Sequence, residues 1–322
     1  MIRAVKKSAS FPVPRALAVE LGKIGLPVVL RYDIARIAWH LYKSRVYEGQ
    51  PLAIKLDVLD TRAFSRIEKT LQNNGILKSL PGVSEKSAYG LIGRNLNDHN
   101  AVICSIDPFC YLSHLSAMEF HGLTDRLPEQ IYVSTPAGAD WKTFATERME
   151  KDFGEEWGAY SGSGLPQLGR TTVTKIGKRP LNRYASLHHG AFRTFKDSPV
   201  RVATLGRTFL DMLREPGLCG GIAHVLQVFK EHAAANKRLI FDELDQHGSK
   251  IDKVRAGFIL EEVCGLRDPR IECWLEFAAR GGSRKLDAAG DYVPRFSERW
   301  MLSINTETGI ELDIMLDSYL AI

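Results

Sequence analysis

The sequence contains no Cys-x-x-Cys pair, and its five cysteines (Cys104, Cys110, Cys219, Cys264 and Cys273) are odd in number. Both facts argue against a disulfide framework and against a structural zinc site. No window reaches the ~18–20 uninterrupted apolar residues of a membrane-spanning helix, because charges, glycines or prolines break every candidate. The basic stretch 1–16 has no apolar core behind it, so no secretory signal is expected. Catalytic signatures are equally scarce. No glutamate has a lysine two positions on, the pairing that a restriction-type nuclease uses beside its metal. There is no Gly-x-Ser-x-Gly elbow. Gly162-Ser163-Gly164 lacks the third glycine of a dinucleotide fingerprint and the Gly-Lys-Ser/Thr of a phosphate loop, so it reads as linker. Internal repeats and low-complexity tracts are absent too. With 44% hydrophobic and 25% charged residues, the 322-residue chain has ordinary globular usage and length for more than one domain. A cytoplasmic, multidomain protein is expected.

Charge is present and unevenly placed. Residues 1–100 carry 16 Lys/Arg against 8 Asp/Glu, a net of +8, whereas residues 101–322 carry 27 against 30, a net of −3. Such asymmetry suggests a nucleic-acid-facing arm joined to something else, with a merely solvated basic surface as the plainer alternative.

The arm has a legible order. Leu17, Leu21 and Ile24 share a face after Pro14, predicting a short helix over 15–24. Val28–Leu30 reads as a small strand, and Ile34, Ile37, Ala38, Leu41 and Tyr42 as the stripe of a helix over 33–45. Alternation at Leu52, Ile54, Leu56 and Val58 suggests another strand. Asp60-Thr61 and Gly75 bound a third helix over 62–74. Two strands, 76–80 and 87–93, then flank a charged loop, as in a wing. About fifteen residues separate the second and third helices, where a plain helix-turn-helix needs about three to four.

The third helix divides cleanly. At about 100° per residue, Arg66 and Lys69 fall within about 40° of Arg62 and Ser65 about 60° away, with Phe64, Ile67 and Leu71 opposite. One face packs; the other presents three cations and a hydroxyl. Such a helix suits a major groove, where arginine reads guanine edges and lysine or serine anchors phosphates. Arg62, Ser65, Arg66 and Lys69 are therefore the candidate groove residues, with Lys78, Lys86 and Arg94 as phosphate contacts of the wing. Singly, the same helix could be an ordinary surface helix with a basic face.

Beyond residue 100 the pattern is mixed. Strands are expected at 101–106, 131–135, near 171–177 and near 191–195, with a helix over 108–121 and a Gly/Ser-rich loop over 153–170. Helices crowd 205–280: one from Gly206, one starting near Gly221, and others at 239–246, 251–264 and 269–279. Residues 299–305 and 310–316 read as a C-terminal hairpin. The expected fold is α+β: a winged helix-turn-helix-like domain over 1–96, then a larger mixed α/β domain over 97–322.

Candidate chemistry in this second part is thin. Glu311, Asp313 and Asp317 gather acids near one strand without a lysine, and Asp140-Trp141-Lys142 falls at a helix or loop start. His114 and His121, flanking Glu119, share a helix face but lack the i, i+4 spacing of helical zinc ligands. His188-His189 has no assigned role, and the cysteines fall in expected strand or helix cores.

Three segments carry a likeness. DPFCYLSHLSAMEFHGLTDRLPEQIYVSTP (107–136), VRVATLGRTFLDMLREPGLCGGIAHVL (200–226) and LRDPRIECWLEFAARGGSRKLD (266–287) with SERWMLSIN (297–305) resemble blocks of the AbiEi antitoxin family of transcriptional regulators. The resemblance implies a type IV toxin–antitoxin antitoxin. Its N-terminal domain would bind operator inverted repeats in double-stranded DNA and repress its own operon, and its C-terminal domain would counter the toxin. The functional partner would be a nucleotidyltransferase-like toxin, without a stable complex between the two. No cofactor, metal or catalysis is expected. Two other readings remain open: a metal-dependent nuclease or nucleic-acid-modifying enzyme using Glu311, Asp313 and Asp317, and an interaction module docking through 205–280.

Overall fold

In the N-terminal third, α1 (Val13–Lys23), β1 (Val28–Leu30), α2 (Arg31–Ser44), β2 (Val46–Tyr47), β3 (Gln50–Pro51), α3 (Thr61–Asn73), β4 (Leu77–Lys78) and β5 (Ala88–Leu91) follow one another. This is a computed structural model, and it describes residues 10–186, 189–279 and 284–309. Strand β5 lies centrally in a three-stranded antiparallel sheet of order β1-β5-β4, with Leu30 opposite Ala88 and Leu77 opposite Leu91. The apolar faces of the helices, Ala16, Leu17 and Leu21, then Ile34, Ala35 and Ala38, then Phe64, Ile67 and Leu71, close over its core. The strand expected at 52–58 is absent. Leu52 and Leu59 turn inward while Leu56 and Val58 stay exposed, so the alternation has no buried face to serve; a short β2-β3 hairpin forms just upstream.

Further elements are α4 (His99–Ile106), β6 (Tyr111–Leu112), α5 (His114–Phe120), β7 (Ile131–Pro136), α6 (Gly138–Phe153), α7 (Trp157–Ser161), β8 (Lys175–Ile176), β9 (Arg179–Ser186), β10 (Phe192–Phe195) and β11 (Ser198–Ala203). They are followed by α8 (Leu205–Arg214), α9 (Ile222–His247), α10 (Lys250–Phe258), α11 (Pro269–Trp274), β12 (Phe296–Ser297) and β13 (Leu302–Ser303). The fold is α+β. Strands β6 to β11 make a six-stranded sheet of order β10-β11-β6-β7-β9-β8.

Several expectations are corrected here. Residues 101–106 are helix, not strand: all six are buried, and Asp98 caps them by accepting from the Ala101 N–H at 3.0 Å. A short, mostly apolar run serves a buried helix as well as a buried strand, and Ser105 satisfies its hydroxyl on the Ala101 carbonyl of the same helix. The long helix expected over 108–121 shortens to α5, because the chain spends 107–112 in a turn and a strand. Arg201 holds that turn by donating to the carbonyls of Cys104, Asp107 and Cys110 at 2.6–2.7 Å. Strand β9 was not foreseen. Helix α9 runs through 222–247 without a break, since 234–238 contains neither glycine nor proline. Strand β13 pairs upstream with β12, and residues 310–316 lie outside the described residues.

Packing divides the chain into two units. One comprises Met1–Tyr111, Ser134–His189 and Thr194–Arg201; the other comprises Leu112–Val133, Gly190–Arg193 and Val202–Ile322. Residues 10–96 fall together in the first unit, along with later segments. In the first unit, α2 is committed on a second side: the Tyr32 hydroxyl donates to Asp152 at 2.8 Å, the Trp39 indole to Glu156 at 2.6 Å, and Arg148 pairs with Asp33 at 2.9 Å. Phe153 stacks on Tyr160 at 3.8 Å, and Tyr32 and Trp39 meet both rings edge-on. Burial pushes the Asp33 carboxyl up against the pull of Arg148.

The second unit is a helical core around Phe209, Phe229, Phe241, Phe258, Trp274 and Trp300. Arg207 and Asp211, both almost fully buried, pair at 2.8 Å within α8. Gly257 of α10 lies flat against Trp300, where a Cβ would stand 2.0 Å from the indole ring. Trp300 is itself held by its indole N–H on Glu261 at 2.9 Å. Gly257→Ala should therefore lower stability by about 1–3 kcal/mol through overpacking, read as an earlier midpoint in urea followed by tryptophan fluorescence. An unchanged midpoint would mean that this contact can relax.

Candidate functional site

Helix α3 begins where Asp60 accepts from the Ala63 N–H at 2.6 Å, and it buries Ala63, Phe64, Ile67, Glu68 and Leu71. Glu68 is the one acid on the helix. Its two oxygens accept from Arg31 Nε at 2.7 Å and Nη2 at 3.0 Å, a bidentate pair at the junction of β1 and α2. The same guanidinium stands 5.3 Å from the centre of the Phe64 ring. The bond to Glu68 raises the Arg31 pKa, and burial together with the Glu68 charge raises that of Tyr89.

With the inner face fixed, Arg62, Ser65, Arg66 and Lys69 lie exposed on the other side. Among the described residues, the side chains of Arg62, Arg66 and Lys69 form no ion pair or hydrogen bond. Ser65 Oγ donates back to the Thr61 carbonyl at 2.8 Å, leaving its lone pairs outward. Burial raises the Tyr42 pKa, helped by Asp60 and opposed by Arg66, which places that arginine's charge near α2.

Lys78 on β4 and Lys86 just before β5 are exposed. The 79–87 loop between them is tied down by Glu85, which accepts from Ser79 and, at 3.3 Å, from Gln72 on α3. Arg94 differs from the rest. Its Nη2 donates to the carbonyls of Gly22 and Ile24 at 2.9 and 2.6 Å, so it caps the end of α1, while the Nε and Nη1 donors of this exposed side chain take no part in those two bonds.

The other sequence candidates are scattered. His114 is buried, with a left-handed φ of 49° and a 2.8 Å contact from Nδ1 to Ser113 Oγ; burial lowers its pKa. The His121 ring donates to the Ala203 carbonyl at 2.7 Å, and that of His189 to the Phe109 carbonyl at 2.6 Å. Asp140 sits in the first turn of α6 and Lys142 just after it, while Ser163 of the Gly-Ser-Gly turn donates to the Tyr160 carbonyl at 2.6 Å. Cys273 is exposed on α11 rather than in a core. Glu311, Asp313, Asp317 and His188 lie outside the described residues. In the second unit a pocket of about 470 Å³ has Arg126, His224 and Glu231 on its wall, with mixed charge.

One basic region escaped the sequence reading. Residues 157–196 hold seven Lys/Arg (Arg170, Lys175, Lys178, Arg179, Arg183, Arg193 and Lys196) and no Asp/Glu. Totalling residues 101–322 together hid this window under the acids around it; a sliding count would have found it. Part of it lies beside the N-terminal elements. A Cβ on Gly164 would stand 3.4 Å from the Thr61 methyl at the start of α3, and one on Gly82 would stand 3.8 Å from the Lys175 carbonyl.

No family model matches the sequence, and no curated protein matches it. Among solved structures the chain is similar to the RV2827C protein from Mycobacterium tuberculosis, at 12% identity and a TM-score of 0.45 over 92% of each chain. A likeness that remote fixes neither fold nor function.

Because Arg94 anchors α1, Arg94→Ala should cost about 1–2 kcal/mol of stability through two lost charge-assisted hydrogen bonds, measured by thermal unfolding. Affinity for duplex DNA should stay at the wild-type value. A stable variant with weakened DNA binding would return Arg94 to the phosphate contacts.

Proposed function

We propose that this chain is a DNA-binding transcriptional autorepressor whose N-terminal third is a winged helix. The observation that carries the reading is the division of α3: one buried acid clamped inward, and three outward cations that pair with no acid among the described residues. A second support is the order α1-β1-α2-α3-β4-β5 with β5 central in the sheet, since a winged helix-turn-helix has its elements in that order. Such a helix enters the major groove, roughly 12 Å wide, with arginines to guanine edges and lysine or serine to phosphates. Arg62, Ser65, Arg66 and Lys69 are the groove residues, and Lys78 and Lys86 hold backbone phosphates. Residues 46–60 lengthen the link between α2 and α3, and both helices pack against α1.

Two copies would occupy the half-sites of an inverted repeat upstream of the chain's own gene. The likeness of residues 107–136 and 200–226 to AbiEi proteins extends the reading to an antitoxin. It would act without catalysis against a nucleotidyltransferase-like toxin encoded beside it, with no stable complex between them.

In gel shifts with that upstream duplex, Arg66→Ala should weaken binding by about 1–3 kcal/mol and blur discrimination against unrelated sequence, whereas Lys86→Ala should weaken all duplexes by a similar factor. Folded variants with wild-type affinity on both duplexes would contradict the reading.

A further inference from the structure

Within the first unit, a pocket of about 80 Å³ is walled by Leu30, Tyr32, Lys86, Ser87 and Ile106 on one side and by 167–171 on the other. Its charged lining is Lys86 and Arg170 alone, with no carboxylate. Neither side chain has an ion-pair or hydrogen-bond partner among the described residues. A small pocket lined by two cationic residues and no carboxylate suits an anion, which both could meet with charge-assisted hydrogen bonds. The hydroxyl of Thr171, a residue that is 6% exposed, accepts from the Val173 N–H and keeps its own proton to donate. Arg183 has Nε and Nη2 buried without an acceptor among the described residues; burial lowers its pKa against the pull of Asp107 and Cys110, with the Arg170 charge adding to the fall. The space equals two or three waters at roughly 30 Å³ each, which suits one tetrahedral oxyanion rather than a base or a sugar.

Location narrows the choice of anion. Leu30 pairs with Ala88, so the pocket opens at the end of the sheet that carries the 79–87 loop. The segment leading to Arg170 passes Thr61 at the start of α3, and the segment after it passes Gly82 in that loop. Arg170, Lys175 and Lys178 thus extend the unneutralised cations of α3 along one edge of the same unit. We infer that this pocket seats one phosphate of a nucleic-acid backbone between Lys86 and Arg170, so that residues 164–179 contact a duplex together with α3. The inference rests on the DNA-binding reading and adds to it a contact from outside the first hundred residues.

The test uses the full chain and a duplex of unrelated sequence, since a phosphate contact carries no base preference. Fluorescence anisotropy is followed across a KCl series for wild type, Arg66→Ala, Arg170→Ala and Arg170→Lys, with inorganic phosphate titrated separately by ³¹P line broadening. Arg170→Ala should keep the wild-type unfolding temperature, lose about tenfold in affinity near 0.1 M salt, and flatten the slope of log K against log salt by about 1. Arg170→Lys should recover much of both. If Arg66→Ala weakens binding while Arg170→Ala changes neither affinity nor slope, the phosphate seat is wrong and the α3 reading stands. If the wild-type chain binds no duplex, both fall. If Arg170→Ala abolishes line broadening by inorganic phosphate yet leaves duplex affinity intact, the pocket takes free phosphate and its assignment to nucleic acid is overturned.

Discussion

Helix α3 has a single acid, and the fold turns it inward. The Glu68 carboxylate, nearly excluded from water, is usable there only because Arg31 meets both of its oxygens. Parting such a pair leaves an uncompensated buried charge, at a cost of about 3–5 kcal/mol. Rotating α3 by one residue would also expose Phe64 or Ile67, at roughly 1.5–3 kcal/mol each. The two penalties act in the same direction, so the angular position of the helix is set to within a fraction of a turn. The set of side chains on its outer face depends on that.

Position alone would matter little if the helix moved with respect to its support. Arg31 belongs to α2, and α2 is itself held by edge-on aromatic contacts and three polar anchors to α6 and the residues after it. The N-terminal elements are therefore built into a larger unit. The outward cations of α3 and the basic residues from Arg170 to Arg183 belong to the same unit, and no acid on α3 faces outward between them. Most phosphate affinity in protein–DNA complexes comes from such sequence-independent charge, and base contacts then select among sites. The exposed arginines of α3 suit the second task; the lysines of β4 and its loop, with Arg170, suit the first.

In the N-terminal third the alternation at 52–58 misled, and the β2-β3 hairpin carried no signal. Helices α1, α2 and α3 and strands β1, β4 and β5, by contrast, were legible from their apolar patterns and boundary residues, such as Pro14 for α1 and Asp60 and Gly75 for α3. The rotation of α3 was legible for the same reason, down to which four side chains face out. The two bonds from Arg94 to the end of α1 were not legible, because nothing local marks a long side chain that folds back to carbonyls seventy residues away. Residues 101–106 failed as a strand because a run buried on every side carries no periodicity. The division into units could not be read, since it depends on Tyr32 and Trp39 meeting residues more than a hundred positions on. The basic window after residue 157 was legible in principle and was lost only by summing charge over too long a span.

The central claim is that the outward face of α3 meets a DNA duplex. Amide chemical-shift mapping of the deuterated full chain, titrated with the duplex upstream of its own gene, tests it most directly. The account requires the largest shifts at Arg62, Ser65, Arg66 and Lys69 and along the 79–87 loop. Saturable shifts confined to other surfaces, with α3 unmoved at full occupancy, would contradict it.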